Sequence, residues 1–136
     1  MKLQLLCGPL LAGCALCAAP LAAQDDTFGS VDATLAGDGG ASGTFEADLD
    51  GESGDVCYTL TFKGVDKPTG AHIRLAADNS TAVDLGADND GQSHCANAPT
   101  AAVLKIIAKP GDYYVSVETM GKPNGAATGT LKGEDD

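Results

Sequence analysis

Two sets of side chains in this sequence have the types and spacing that chemistry requires. The first is His72, Arg74 and Glu118. Residues two apart on a β-strand share a face, so a strand reading places His72 and Arg74 side by side. A neighbouring strand carrying Glu118 would then let its carboxylate pair with the Arg74 guanidinium across the ladder. The bland alternative is two solvated charges and a hydrogen-bonded sheet histidine, and a surface pair is worth only ~0–1 kcal/mol in any case. The second set is Cys57 and Cys95, the even pair left once the N-terminal leader is set aside. They lack the partner Cys and His spacing of a zinc site. In an exported chain they read as a disulfide, whose closed loop contributes roughly 4 kcal/mol in the chain-entropy model.

Two metal readings are weaker. Asp88-Asn89-Asp90-Gly91, with Asp84 nearby, carries part of a calcium-loop pattern. The EF-hand spacing would put its first ligand at Gly86 and its last at Asn97, so the pattern fails at both ends, and acidic Asn/Gly runs are mostly turns. His72 and His94 are the only histidines. That is too few imidazoles for a copper/zinc superoxide dismutase, whose Greek-key sandwich with Gly-rich turns the chain resembles slightly. Covalent catalysis has no candidate, since there is no Gly-x-Ser-x-Gly elbow and no reduced cysteine beside a histidine. Glycine-rich phosphate loops and aromatic stacking platforms are also missing from the sequence. No cofactor is implied.

The segments that must hold these residues read as strands. Val56, Tyr58, Leu60 and Phe62 alternate with polar neighbours, and Ala71, Ile73 and Leu75 alternate with His72 and Arg74. Gly64 to Gly70 lies between the two runs with its Gly and Pro, so the stretch Val56–Leu75 reads as a hairpin-like unit on which the rest packs. Before it, Phe28–Leu35 and Thr44–Leu49 are strands separated by the Gly-rich turn at Ala36–Gly40; Asp50–Gly54 is a further turn. After it come a short strand at Thr81–Leu85, a polar loop from Gly86 to Asn97 held by Cys95, and a strand at Asp112–Thr119. A last strand runs Ala127–Leu131. In Ala101–Ala108, Val103, Ile106 and Ile107 fall at helical spacing between Pro99 and Pro110, although so short an apolar run also fits a buried strand. The expected fold is all-β: an antiparallel Greek-key-like β-sandwich of about seven strands with one short helix.

Composition bounds the context. Met1-Lys2, an apolar stretch from Leu3 to Ala19 and the small residues before Gln24 form a secretory signal peptide spanning 1–23, leaving a single domain at 24–136. Leu11-Ala12-Gly13-Cys14 also has the form of a lipoprotein box, but the apolar run continues past Cys14. The chain from Gln24 on keeps all 19 acids and seven of the 8 bases, a formal −12. Such a surface repels nucleic acid and anionic lipid. With no Trp and 18 Gly, the core must be thin.

In order along the chain, several motifs resemble those of the CHRD domain, the repeat unit named for chordin that also occurs singly in exported bacterial proteins. The motifs are Ala33-Thr34-Leu35, Lys67-Pro68-Thr69-Gly70-Ala71-His72-Ile73 and Val103-Leu104-Lys105-Ile106-Ile107 leading into Pro110 to Val117. Pro123 to Ala126 before Gly129-Thr130-Leu131 completes the set. The resemblance covers nearly all of the mature chain. It implies a sandwich-type module, exported and non-enzymatic, whose partner is an unidentified protein or an envelope or matrix component. The family usually has histidines where this chain has Arg74 and Glu118 and an arginine where Thr128 stands, so an Arg74–Glu118 ion pair would replace one complementary set by another. The rival reading is a metal-binding enzyme related to the dismutase sandwich.

The expected location is the periplasm or the exterior, with membrane attachment only if Cys14 is lipidated. Mass spectrometry of the exported protein should find an N-terminus at Gln24; a diacylated Cys14 would refute the leader assignment.

Overall fold

The structure, a computed structural model, describes residues 26–134. The segment 1–23 that reads as a signal peptide, with Cys7, Cys14 and Cys17, lies outside the described residues. Nine strands form: β1 (Phe28–Ala36), β2 (Ser42–Asp50), β3 (Asp55–Lys63), β4 (Gly70–Leu75), β5 (Thr81–Leu85), β6 (Ser93–Asn97), β7 (Tyr113–Glu118), β8 (Ala127–Thr130) and β9 (Lys132–Gly133). One α-helix, α1 (Thr100–Ala108), precedes β7. Among the described residues the chain forms the expected all-β antiparallel architecture with a single short α-helix. The strands number nine and lie in one continuous sheet, ordered β5-β4-β7-β8-β1-β2-β3-β6, with β9 pairing β1.

Period-2 patterning explains both the sheet and its curl. Along β3, Val56, Tyr58, Leu60 and Phe62 are buried while Asp55, Cys57, Thr59, Thr61 and Lys63 are not. With one apolar face per strand, the sheet curls until those faces meet in a single core that includes Phe45, Leu60, Ile73 and Val115. The curl brings β5 beside β6, so the barrel is nearly closed. α1 plugs one end with Val103 and Ile106, both fully buried, and Pro99 and the Pro110-containing 3-10 turn bound it. At the other end lie four connections, 37–41, 64–69, 86–92 and 119–126.

Two sequence expectations are corrected. Val56–Leu75 is not a hairpin: β3 pairs with β2 and β6, and β4 pairs with β5 and β7. The connection is a crossover. Gly64 has φ +76° and packs so closely on the β1–β2 turn that a Cβ there would sit 2.7 Å from the Gly40 carbonyl oxygen. The chain is thereby steered over the barrel end to the far side of β5 and β6. Around the seam the strands run β3, β6, β5, β4, which is Greek-key ordering. Second, Gly86–Asn97 is not all loop, because Ser93–Asn97 is a strand with Cys95 directly opposite Cys57. The Cα of Cys95 is 4.0 Å from that of Cys57, the close approach of a non-hydrogen-bonded pair.

Cys57 and Cys95 form a disulfide across a sequence separation of 38, fixing the edge strand β6 to β3. Beyond β6, the free edge of β3 is capped by a side chain: Phe62 N donates to Asn89 Oδ1 at 2.9 Å, and Asn89 Nδ2 donates to the Phe62 carbonyl at 2.7 Å. The Gly86 N–H donates to the Tyr58 hydroxyl at 2.8 Å. Replacing both cysteines by alanine should lower stability by about 4 kcal/mol, seen as an earlier urea midpoint.

Candidate functional site

On β4, Ala71 and Ile73 face the core and are fully buried, which turns His72 and Arg74 outward. On β7, Val115 and Val117 face the core, yet Ser116 and Glu118 on the outer face are buried as well. The cover is the 119–126 connection, which folds back on β7 through Ala126 N–H to Val117 carbonyl at 2.7 Å. Gly125, at φ +126°, lies against Ser116 and Thr128, and a Cβ there would sit 2.5 Å from Thr128 Cγ2. Register aligns Asp84, His72, Ser116 and Thr128 in one row across β5, β4, β7 and β8.

Glu118 is the centre of the cluster. Its side chain is 5% exposed, and a buried carboxylate must be paired and hydrogen-bonded to be tolerated. His72 Nδ1 donates to Glu118 Oε1 at 2.7 Å. Arg74 Nη2 and Nε each reach Glu118 Oε2 at 3.4 Å, and the Ser116 hydroxyl donates to the same oxygen. The Glu118 carbonyl accepts from Thr69 N–H at 2.8 Å. Arg74 is held in turn, since Nη1 donates to the Asn79 carbonyl at 3.1 Å and to Thr81 Oγ1 at 3.2 Å. Asn79 sits at φ +62° in a turn where the Ser80 hydroxyl, then its N–H, hold the Asp78 carboxyl below the usual aspartate value.

The calcium candidates do not converge. Asp84 stands on β5, its Oδ1 3.2 Å from His72 Nε2, whereas Asp88 and Asp90 flank His94. His94 Nε2 is 3.1 Å from Asp90 Oδ1, and Nδ1 is 3.8 Å from Asp88 Oδ2. The Asp90 carboxyl lies below its ordinary value, first because Gln92 N–H donates to it and next because of His94. Each histidine therefore has its own carboxylates. Among the described residues no group of three or more His, Cys, Asp or Glu side chains is placed to hold a metal.

Ser116 was not legible as a member of the cluster. A serine between valines reads as the polar face of a half-exposed strand, and it is buried where the Arg74 Nε lies 3.3 Å from its hydroxyl and the folded-back 119–126 connection brings Gly125 against its Cβ. Ser, His and Glu are hydrolase-triad types, but the Ser116 hydroxyl is directed to Glu118 rather than to a histidine nitrogen, and the residue is 0% exposed. That geometry presents no nucleophile to solvent. The cluster instead works as a fastener joining β5, β4 and β7 through charge-assisted bonds.

The fold and this outer-face cluster define a disulfide-clamped antiparallel barrel with four of its connections at the end opposite α1. The family model for the CHRD domain matches residues 19–131, and the chain belongs to that family. No curated protein and no solved structure matches it. Among the described residues no helix is long and apolar enough to cross a membrane.

Glu118→Ala should cost ~3–5 kcal/mol, because it strands the Arg74 charge, whereas Asp84→Ala, at a carboxylate 83% exposed, should cost under ~1 kcal/mol. Parallel urea unfolding of the two variants measures the contrast.

Proposed function

We propose that the chain is an exported, non-enzymatic binding or structural module of CHRD type, acting in the periplasm, at the cell surface or outside the cell after residues 1–23 are removed. The observation that carries this reading is the engagement of the polar cluster in the fold: His72, Arg74 and Ser116 all converge on a buried Glu118. The residue types best suited to chemistry thereby serve the scaffold. What the scaffold offers to solvent is the end with four loops, and loops on a rigid frame are where recognition commonly resides. Among them, residues 86–92 are exposed apart from a half-buried Ala87. They are anchored by Asn89 to β3 and by Asp90 to His94, so a partner would meet a pre-ordered acidic surface. The Cys57–Cys95 disulfide supports an oxidising compartment.

The test is affinity capture from a native envelope fraction with the 24–136 protein and with an Asp88→Ala/Gln92→Ala variant, both exposed positions. A component held by the first and released by the second would support loop-mediated binding. Equal capture by both would move the contact surface elsewhere, and turnover of a small substrate by the purified domain would sink the non-enzymatic reading.

A further inference from the structure

The disulfide lies on the outer face of the barrel within a field of acids. Register places Ser30, Asp48, Cys57 and Cys95 in one row across β1, β2, β3 and β6. The next row toward the loop-bearing end is Asp32, Glu46, Thr59 and Ser93. A concavity of about 340 Å³ opens there, its lining including Asp32, Glu46, Asp48, Cys57 and Glu134. The nearest cation in the register is Lys132, opposite Asp32 on β9. Cys57 is half-buried, while Cys95, on an edge strand, is exposed. Cys95 is thus the more exposed partner of the bridge, and Cys57 lines a concavity that holds four carboxylates, with Lys132 as the cation beside them in the register.

We propose that Cys95 Sγ is a thiol–disulfide exchange site that selects its attacking thiol by charge, accepting cationic and uncharged thiols and turning away anionic ones. In the first step a thiolate forms a bond to Cys95 Sγ. The Cys57–Cys95 bond breaks, and its electron pair leaves on Cys57 Sγ, which takes a proton from water. A second thiolate then attacks the outer sulfur of the mixed disulfide, releasing the small disulfide and Cys95 thiolate. Two thiols are oxidised and the protein bridge is reduced by two electrons.

The selection follows from electrostatics. In the exchange transition state negative charge is shared over three sulfurs, and here it develops beside Asp48 and Glu46. A cation carried by the attacking thiol offsets that field, whereas an added anion deepens it. The Debye length is ~30 Å at about 0.01 M salt and ~3 Å at about 1 M, so discrimination should be strong at the first and nearly gone at the second. Completed exchange frees β6 from its covalent tie to β3 and leaves the 86–92 loop attached through Asn89 and Tyr58.

The test uses the oxidised protein with cysteamine (cationic), 2-mercaptoethanol (neutral) and 3-mercaptopropionate (anionic). Each rate is divided by that thiol's rate on hydroxyethyl disulfide, an uncharged reference, to remove intrinsic reactivity. Iodoacetamide quenching, intact mass and peptide mapping then locate the first adduct. The expected result is a normalised preference of ~10-fold or more for cysteamine over mercaptopropionate at about 0.01 M salt, narrowing to within ~2-fold at about 1 M. The adduct should sit on Cys95, and Glu46→Gln/Asp48→Asn should narrow the gap at low salt. Equal normalised rates at low salt, a gap unchanged by salt, adducts on Cys57 or no exchange with any of the three would overturn the proposal. The salt comparison needs only the wild-type protein, so it stands even if the double variant folds poorly.

Discussion

A curled sheet whose two edge strands do not pair has to be closed by something other than its own ladder, and the rest of this molecule depends on how that is done. β5 and β6, the two ends of the hydrogen-bonded path, lie side by side without pairing with each other. Three contacts of different chemistry hold the strands and loop beside this seam. The disulfide ties β6 to β3, the Asn89 amide supplies the missing partner for both backbone groups of Phe62, and the Tyr58 hydroxyl accepts from the Gly86 backbone. Each satisfies or constrains a group that an open edge would leave to water or to another chain. With no Trp in the sequence, the core is filled by aliphatic residues with Phe45 and Tyr58 stacked 5.8 Å apart, and only a closed wall keeps so thin a core dry.

The polar cluster is the counterpart of the seam on the opposite side of β5. Asp84, His72, Glu118 and Arg74 cross three strands with contacts of 2.7–3.4 Å. A carboxylate as buried as Glu118 is tolerated because guanidinium, imidazole and hydroxyl converge on it. Arg74, Glu118 and Thr128 fall on one outer face of β4, β7 and β8. In this chain the arginine stands on β4 and the acid on β7.

Much of the fold was legible because alternation is a local signal. β1, β2, β3, β5 and β7 each show apolar side chains two apart, and α1 shows Val103, Ile106 and Ile107 at helical spacing between prolines. What was not legible depends on pairing between distant segments. The Gly64–Thr69 stretch has turn composition whether it joins a hairpin or crosses the barrel. The deciding contact is Gly64 against Gly40, which is not written in either segment alone. β6 was hidden because Ser93–Asn97 has only His94 and Ala96 on its inner face, and the cysteine that marks its partner gave no register. In the cluster, the likeness in spacing of His72 and Arg74 was enough to put them on one face. The burial of Ser116 was not, because it comes from Arg74 on the neighbouring strand and from a connection that follows β7.

The pairing of β9 with β1 has a geometric outcome for how such a domain is mounted. Gly133 lies opposite Val31, and Glu134 N–H donates to the Ser30 carbonyl at 3.2 Å, so the described residues begin and end toward the same pole, the one plugged by α1. A tether or a neighbouring module joined at either terminus would hold the domain by that pole and leave the four-loop pole projecting outward. Copies strung in series would hang like beads from one side of a cord, all presenting the same surface.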